Sequence, residues 1–450
     1  MALITAQYGL MRGIRRFIWL AFALGTFASA AHAWTNHAWG TWLALNAMPD
    51  VRNEAPVRVE PLEKFLLEQG SALEVILQQE EQWARSKVRN YPARPEVLAY
   101  RFDPNLEPAE LRRRFLMAVR VHPNAPLPLH LQLLPGNFSQ TAYATRPALN
   151  WSEVSLHKED LFAPHKHVAL HDGESVSVLD VLATASDEPD QGMDSGLWSD
   201  SGTEHGRVYG FGPQPLSSRY VAHGDEAAFH MGFFHESASS YATANGLRRA
   251  YPEYRMHLWQ SLALHALVNG HPYWGWRFAG WAMHYAQDMT QPYHASFMPN
   301  RYAWKVMWLN VLYLGGFGEA RQQATQEVAL RHQWLEWYQQ QSLLIPLQKG
   351  ELDHPNLKPF TLVMRDAGRM ALPENGLRDI VAWQAYRKAD ELDTWVSLSM
   401  PKLPANAASE GWTPETPNPR TASVDALDSL LRDLSVQFGN VTRAVWRRLQ

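Results

Sequence analysis

Apolar residues recur at helical spacing along most of this chain, and strand-like alternation is confined to short pieces. Residues 37–48 read as a first helix, with Trp39, Trp42, Leu43 and Leu45 as its apolar positions and Pro49 as its stop. Two further helices, each charged on one side, are predicted at 60–88 and 107–120. The strongest signals are at 243–269 and 273–289, separated by the breaker Gly270-His271-Pro272. The second of these carries Trp274, Trp276, Phe278, Trp281 and Tyr285, a load that suits a helix buried on most sides. Helices near 321–345, 376–398 and 424–449 complete a mainly α chain, with a Pro- and Asn-rich linker at 401–420.

The breaks in this pattern suggest an organisation. Residues 50–175 mix helical pieces with proline-rich extended stretches and read as an insertion or subdomain after the first helix. From about 183 to 240 the chain is rich in Gly, Asp, Ser and His, the composition of irregular structure at a surface or lining a cleft. The apolar run from Ala303 to Phe317 is too short to span a bilayer unaided, and suits either a buried helix or shallow contact with a lipid surface. Residues 346–450 form a C-terminal helical extension.

The N-terminus and the charge narrow the setting. Arg12, Arg15 and Arg16 precede an apolar stretch from Phe17 to Ala30, followed by Ala31-His32-Ala33. This order describes a signal peptide of residues 1–33, and so an exported protein, periplasmic or secreted. Cleavage after Ala33 makes Trp34 the new N-terminal residue. It also removes three arginines and no acid, so the formal charge moves from −4 to −7. A chain that acidic has no general attraction for a polyanion. With no cysteine, any metal site must use histidine, carboxylate or backbone groups.

One segment concentrates that chemistry. In HYAQDMTQPYH, His284 and Asp288 lie one helical turn apart on one face, and His294 follows just past Pro292. Two imidazoles and a carboxylate so placed suit a metal cluster, and a carboxylate is the natural bridge between two cations. The same three residues also suit a His–Asp hydrogen bond in an aromatic core. His332 and Glu336 repeat the four-residue spacing on the helix RHQWLEWYQQQ, and Asp190 sits in an acidic loop, SDEPDQGMD. His230, with His235 and His205 as alternatives, and His37 on the first helix are further candidates.

In order, Trp34, His37, Asp190, His230, His284, Asp288, Pro292, His294, His332 and Glu336 resemble the signature of the zinc-dependent phospholipase C family. That family includes the clostridial alpha-toxin-type enzymes and shares its helical fold with the S1/P1-type single-strand nucleases. The resemblance covers residues 34–48 and about 180–340. It implies a phospholipase C/P1 nuclease-like helical bundle with a large insertion after the first helix, its catalytic core at 34–49 and 176–345. It also implies three zinc ions. One would be held by the amino and carbonyl groups of Trp34 with His37 and Asp288. A second would be held by Asp190, His230, His284 and the other oxygen of Asp288, and a third by His294, His332 and Glu336.

The expected activity is that of an exported phosphodiesterase cleaving glycerophospholipids to diacylglycerol and a phosphorylated head group through a metal-activated water. Asp190, and after it Glu336, are the candidate catalytic carboxylates. Nucleic acid becomes the partner under a second reading, an S1/P1-type nuclease or 3′-nucleotidase, for which an aromatic pocket and basic surface are expected. A third reading is a non-catalytic zinc-binding protein.

Overall fold

The computed structural model describes residues 34, 36–136, 138, 141–158, 165–215, 225–301, 319–363, 372–402, 415–416 and 421–450. The segment 1–33 read as a signal peptide, the apolar run 303–317 and most of the linker 401–420 lie outside the described residues. Among the described residues the fold is mainly helical, with two small antiparallel ribbons. The long helices are α1 (His37–Asn46), α2 (Leu62–Lys87), α3 (Pro108–Ala118), α4 (Val178–Asp187), α5 (Pro252–Val268), α6 (Pro272–Asp288), α7 (Glu319–Lys349), α8 (Trp383–Ser399) and α9 (Ala422–Arg448). None of the described helices is long and apolar enough to cross a membrane.

Helix α6 is the axis of the molecule. Every residue from Tyr273 to Asp288 is buried, as its aromatic load predicts, and it packs against α4, α5 and α9. Its approach to α4 is close because Gly280 has no side chain: a Cβ there would lie 2.5 Å from Ala185 Cβ and 3.0 Å from Leu182 O. Trp259 of α5 packs edge-on against Trp281, and Trp276 stacks on Trp446 of α9 at 4.6 Å. Helix α1 lies against α4 and α9.

The segment 50–175 does not form a core of its own. Its helices α2 and α3 contribute Phe65, Leu66, Phe115 and Leu116 to the same hydrophobic cluster as α6 and α9. Its ribbons tie it to the rest. Strand β1 (Val57–Arg58) pairs with β4 (Ser175–Val176), and β2 (His130–Leu133) pairs with β3 (Lys166–Ala169).

Two boundaries differ from the sequence reading. The helix expected from 243 begins at Pro252, whose fixed φ and missing N–H suit the first helical turn; short turns precede it at Ala238–Thr243 and Asn245–Arg248. The irregular stretch expected from 183 instead begins with the end of α4 and a 3-10 turn at Glu188–Gln191 that carries Asp190.

Candidate metal centre

Three elements converge at the C-terminal half of α6. Helix α1 brings His37, the turn after α4 brings Asp190, and a short helix at Ala227–His230 brings His230. They meet His284 and Asp288 of α6. His294 follows on the turn Pro292–Ala295, opposite His332 and Glu336 of α7. The result is three groups, His37/His284/Asp288, Asp190/His230/His284 and His294/His332/Glu336, with the ligand atoms of each group within 4.8 Å of one another.

Asp288 divides its two oxygens. Oδ1 faces His37 Nε2 at 3.3 Å, while Oδ2 lies 2.9 Å from His230 Nδ1 and 3.3 Å from His284 Nε2. Asp190 adds a second carboxylate, with Oδ1 3.5 Å from His284 Nε2 and 3.6 Å from His230 Nδ1. In the third group, His332 Nε2 and Glu336 Oε1 are 2.9 Å apart, and the rings of His294 and His332 meet edge-on at 5.1 Å.

The surroundings fix which nitrogen each imidazole presents. His37 Nδ1 donates to Gln287 Oε1 (2.8 Å), and the Gln287 amide is oriented by its own donations to Thr41 and Thr442 hydroxyls at 2.8 and 2.9 Å. His284 Nδ1 donates to Ser186 O (2.8 Å), and His294 Nδ1 donates to His230 O (2.7 Å). In all three Nδ1 carries a proton, so Nε2 is the nitrogen turned toward the cluster. Such outer acceptors are what hold a metal-binding histidine in one tautomer. His230 is turned the other way. Its Nε2 faces Asp194 Oδ2 at 3.4 Å, so Nδ1 points inward.

Burial and charge set the proton affinities. Burial alone would lower His37, but the carboxylates of Asp288, Asp190 and Asp187 outweigh it and raise its pKa to about 9. His230 is likewise raised, against burial, by Asp194 and Asp288. His294, desolvated and opposite His332, is pushed down to about 3 and is a neutral imidazole at any physiological pH. Burial opposes ionisation of Asp288, but His284 and its other imidazole neighbours keep it a carboxylate.

The polar atoms fit a metal cluster better than a self-sufficient hydrogen-bond network. His294 Nε2 is buried without a hydrogen-bond partner among the described residues, an arrangement that is costly unless something else satisfies it, and His37 Nε2 and Asp288 Oδ1 have no closer partner there than each other, at 3.3 Å. The donors are all nitrogen and oxygen, the set expected of a cysteine-free chain.

Trp34 is buried, its ring edge-on to Phe438 of α9, which also packs against the His37 ring. His235 lies outside the cluster: its Nε2 donates to Arg378 O, and its ring packs on Trp383. His205 also lies apart, beside His122 and Tyr209.

Sequence reasoning missed the residues that position these groups. Glu188, two residues before Asp190, accepts from Arg277 Nε and Nη2 and from Trp281 Nε1, all inside the core. Asp194 accepts from Arg255 Nη2 and Tyr285 OH while facing His230. Asp393 of α8 accepts from Tyr293 OH (2.9 Å) and Arg331 Nη1 (2.8 Å), the neighbours in sequence of His294 and His332. A buried Arg on an aromatic helix was the available signal, because it demands a carboxylate partner. No family model, curated protein or solved structure matches this chain.

Proposed function

We propose that the chain is an exported zinc-dependent phosphodiesterase, built on the helical fold of the zinc-dependent phospholipases C, that hydrolyses glycerophospholipids to diacylglycerol and a phosphorylated head group. The observation that carries the reading is the divided carboxylate of Asp288, one oxygen toward His37 and the other toward His230 and His284. A buried carboxylate placed this way serves two cations at once.

Under this reading His37, Asp288 and the main-chain groups of Trp34 hold one ion. Asp190, His230, His284 and Asp288 hold the second, and His294, His332 and Glu336 the third. Bound zinc supplies charge to stabilise the phosphate oxygens and lowers the pKa of a coordinated water. The chain's own contribution is orientation. Gln287, Ser186 O and His230 O each fix a tautomer, and the buried cluster keeps bulk water from the ligands.

Asp190 is the ligand whose side chain reaches solvent, 12% exposed beside fully buried His284 and Asp288. The phosphoryl group therefore approaches on the Asp190 side, and Asp190 is the carboxylate placed to accept a proton from the attacking water. Glu336, 3% exposed and 2.9 Å from His332, is under this reading a ligand first and the second candidate base. The acidic charge expected after removal of residues 1–33 favours a zwitterionic lipid over a polyanion.

The test is hydrolysis of phosphatidylcholine vesicles and single-stranded DNA, side by side, by the zinc-loaded chain beginning at Trp34. Diacylglycerol release that disappears in Asp288→Asn is the expected result. Cleavage of DNA alone would replace the lipid substrate by nucleic acid, and cleavage of neither by a fully metallated chain would make it a binding protein.

A further inference from the structure

Helix α1 opens at His37, and the backbone N–H groups of its first turn need acceptors from outside the helix. Asn36 stands at the N-cap position, but its side chain does not accept from that turn. The acceptor comes from a distant part of the chain. Asp187, the last residue of α4, takes the Ala38 N–H on Oδ1 at 3.1 Å. Ala38 is the second residue of α1, a position that an N-cap side chain ordinarily serves. A carboxylate there also complements the positive end of the helix.

Asp187 is in turn held by the segment 50–175. Gln132 of β2 donates from Nε2 to Asp187 Oδ2 at 2.5 Å. Its main-chain N–H donates to Thr184 Oγ1 at 3.0 Å, one turn earlier on α4, so the strand is fastened to α4 at two points. Strand β3 keeps Gln132 in register, opposite His167. Gln132 and Asp187 are both buried, where a hydrogen bond lost is not replaced by bulk water.

The last turn of α4 therefore serves the candidate metal centre twice. Ser186 O accepts from His284 Nδ1 at 2.8 Å, and the adjacent Asp187 fixes the first turn of α1. His37 is held from two sides as a result. Gln287 fixes its ring through Nδ1, and Asp187 fixes its main chain through the neighbouring residue Ala38.

We propose that Asp187 is a positioning residue of the metal centre: it caps α1 from outside that helix and so sets where His37 stands, and the segment 50–175 acts on the centre by holding Asp187 through Gln132. The inference rests on the reading of His37 as a metal ligand. It makes the segment part of the frame of the site, reaching it through a buried amide and a buried carboxylate.

Two measurements on the chain beginning at Trp34 test it: hydrogen–deuterium exchange over the first turn of α1 in the metal-free form, and chelator competition for each zinc ion in the loaded form. Asp187→Ala should speed that exchange and weaken the ion held by His37 about tenfold, the lower end of what an outer partner of a metal ligand contributes. The ion of the His294/His332/Glu336 group should keep its wild-type affinity, which separates lost positioning from a loosened fold. Asp187→Asn keeps an oxygen for the Ala38 N–H and should restore slow exchange and most of the affinity. Gln132→Leu should move both readings in the same direction as Asp187→Ala and by less, and it carries the test if Asp187→Ala does not fold. Unchanged exchange in Asp187→Ala and Gln132→Leu, or faster exchange with the His37 ion at wild-type affinity, would overturn the assignment. A wild-type chain that takes up no zinc would overturn the proposed function and this inference with it, a failure told apart because it appears before any variant is made.

Discussion

Glu188 and Arg277 meet through two hydrogen bonds, Nε to Oε2 at 2.9 Å and Nη2 to Oε1 at 2.7 Å, with both side chains 2% exposed. Glu188 stands two residues before Asp190 on the same 3-10 turn, and Arg277 stands on α6, the helix that carries His284 and Asp288. The pair therefore locks the turn bearing one candidate ligand to the helix bearing two others.

Arg277→Met should be strongly destabilising. It leaves the Glu188 carboxylate buried beside Trp281 without its cation, and breaking one partner of such a pair costs about 3–5 kcal/mol. Urea unfolding of the metal-free chain measures the loss. Replacing both partners, Arg277→Met with Glu188→Gln, should recover part of it, because the uncompensated charge is gone. A single variant as stable as wild type would show that the pair does not anchor the turn.

Gly280→Val should also lower stability, through the α4–α6 contact. The new Cβ would fall 2.5 Å from Ala185 Cβ and 3.0 Å from a backbone oxygen, so α4 must move. Overpacking of this kind costs about 1–3 kcal/mol, against a helix-propensity gain of only a few tenths over glycine. The shift should be read as a lower unfolding midpoint. It should come with weaker zinc retention, because α4 carries Ser186, the acceptor that orients His284. An unchanged midpoint would mean that the two helices have room to separate.

Zinc affinity should depend on pH in a defined direction. In the metal-free chain His37 holds a proton up to about pH 9, because Asp288 and its neighbours outweigh desolvation. Zinc must displace that proton and the one on His230, whose pKa is raised by Asp194 and Asp288, so apparent affinity rises as pH increases towards 9. His294, neutral down to about pH 3, adds nothing to the slope in this range. Chelator competition, corrected for the chelator's own protonation, gives the profile. A flat profile between pH 7 and 9 would contradict the assignment of His37 as a ligand.

What could be read from the sequence, and what could not, follows from the range of the interactions. The long helices α2, α6, α7 and α9 show themselves through periodicity, which is local. His284 with Asp288 and His332 with Glu336 show themselves through four-residue spacing, and the structure brings both pairs into the three groups. Helix α4 straddles the boundary at 183 where the chain turns rich in Gly, Asp and Ser, and its ten residues are too short a run to announce themselves, although Val178, Leu179, Val181, Leu182 and Ala185 carry a helical face. Asp194 with Arg255, and Glu188 with Arg277, join residues far apart in the chain, and no local pattern marks which carboxylate answers which arginine. The C-terminal extension lies outside the stretch that carries the resemblance, yet Thr442 orients Gln287 and Asp393 holds the neighbours of the third group.

Asp288 serving two cations is what makes the proposed site multinuclear. The direct measurement is the zinc-to-protein ratio, by plasma emission spectroscopy, of the folded chain beginning at Trp34 and of its Asp288→Asn variant. Three zinc ions per chain, falling to one in the variant as the His294/His332/Glu336 group alone stays filled, is the predicted result. A wild-type chain without zinc after saturation, or a variant that loses a single ion, would contradict it.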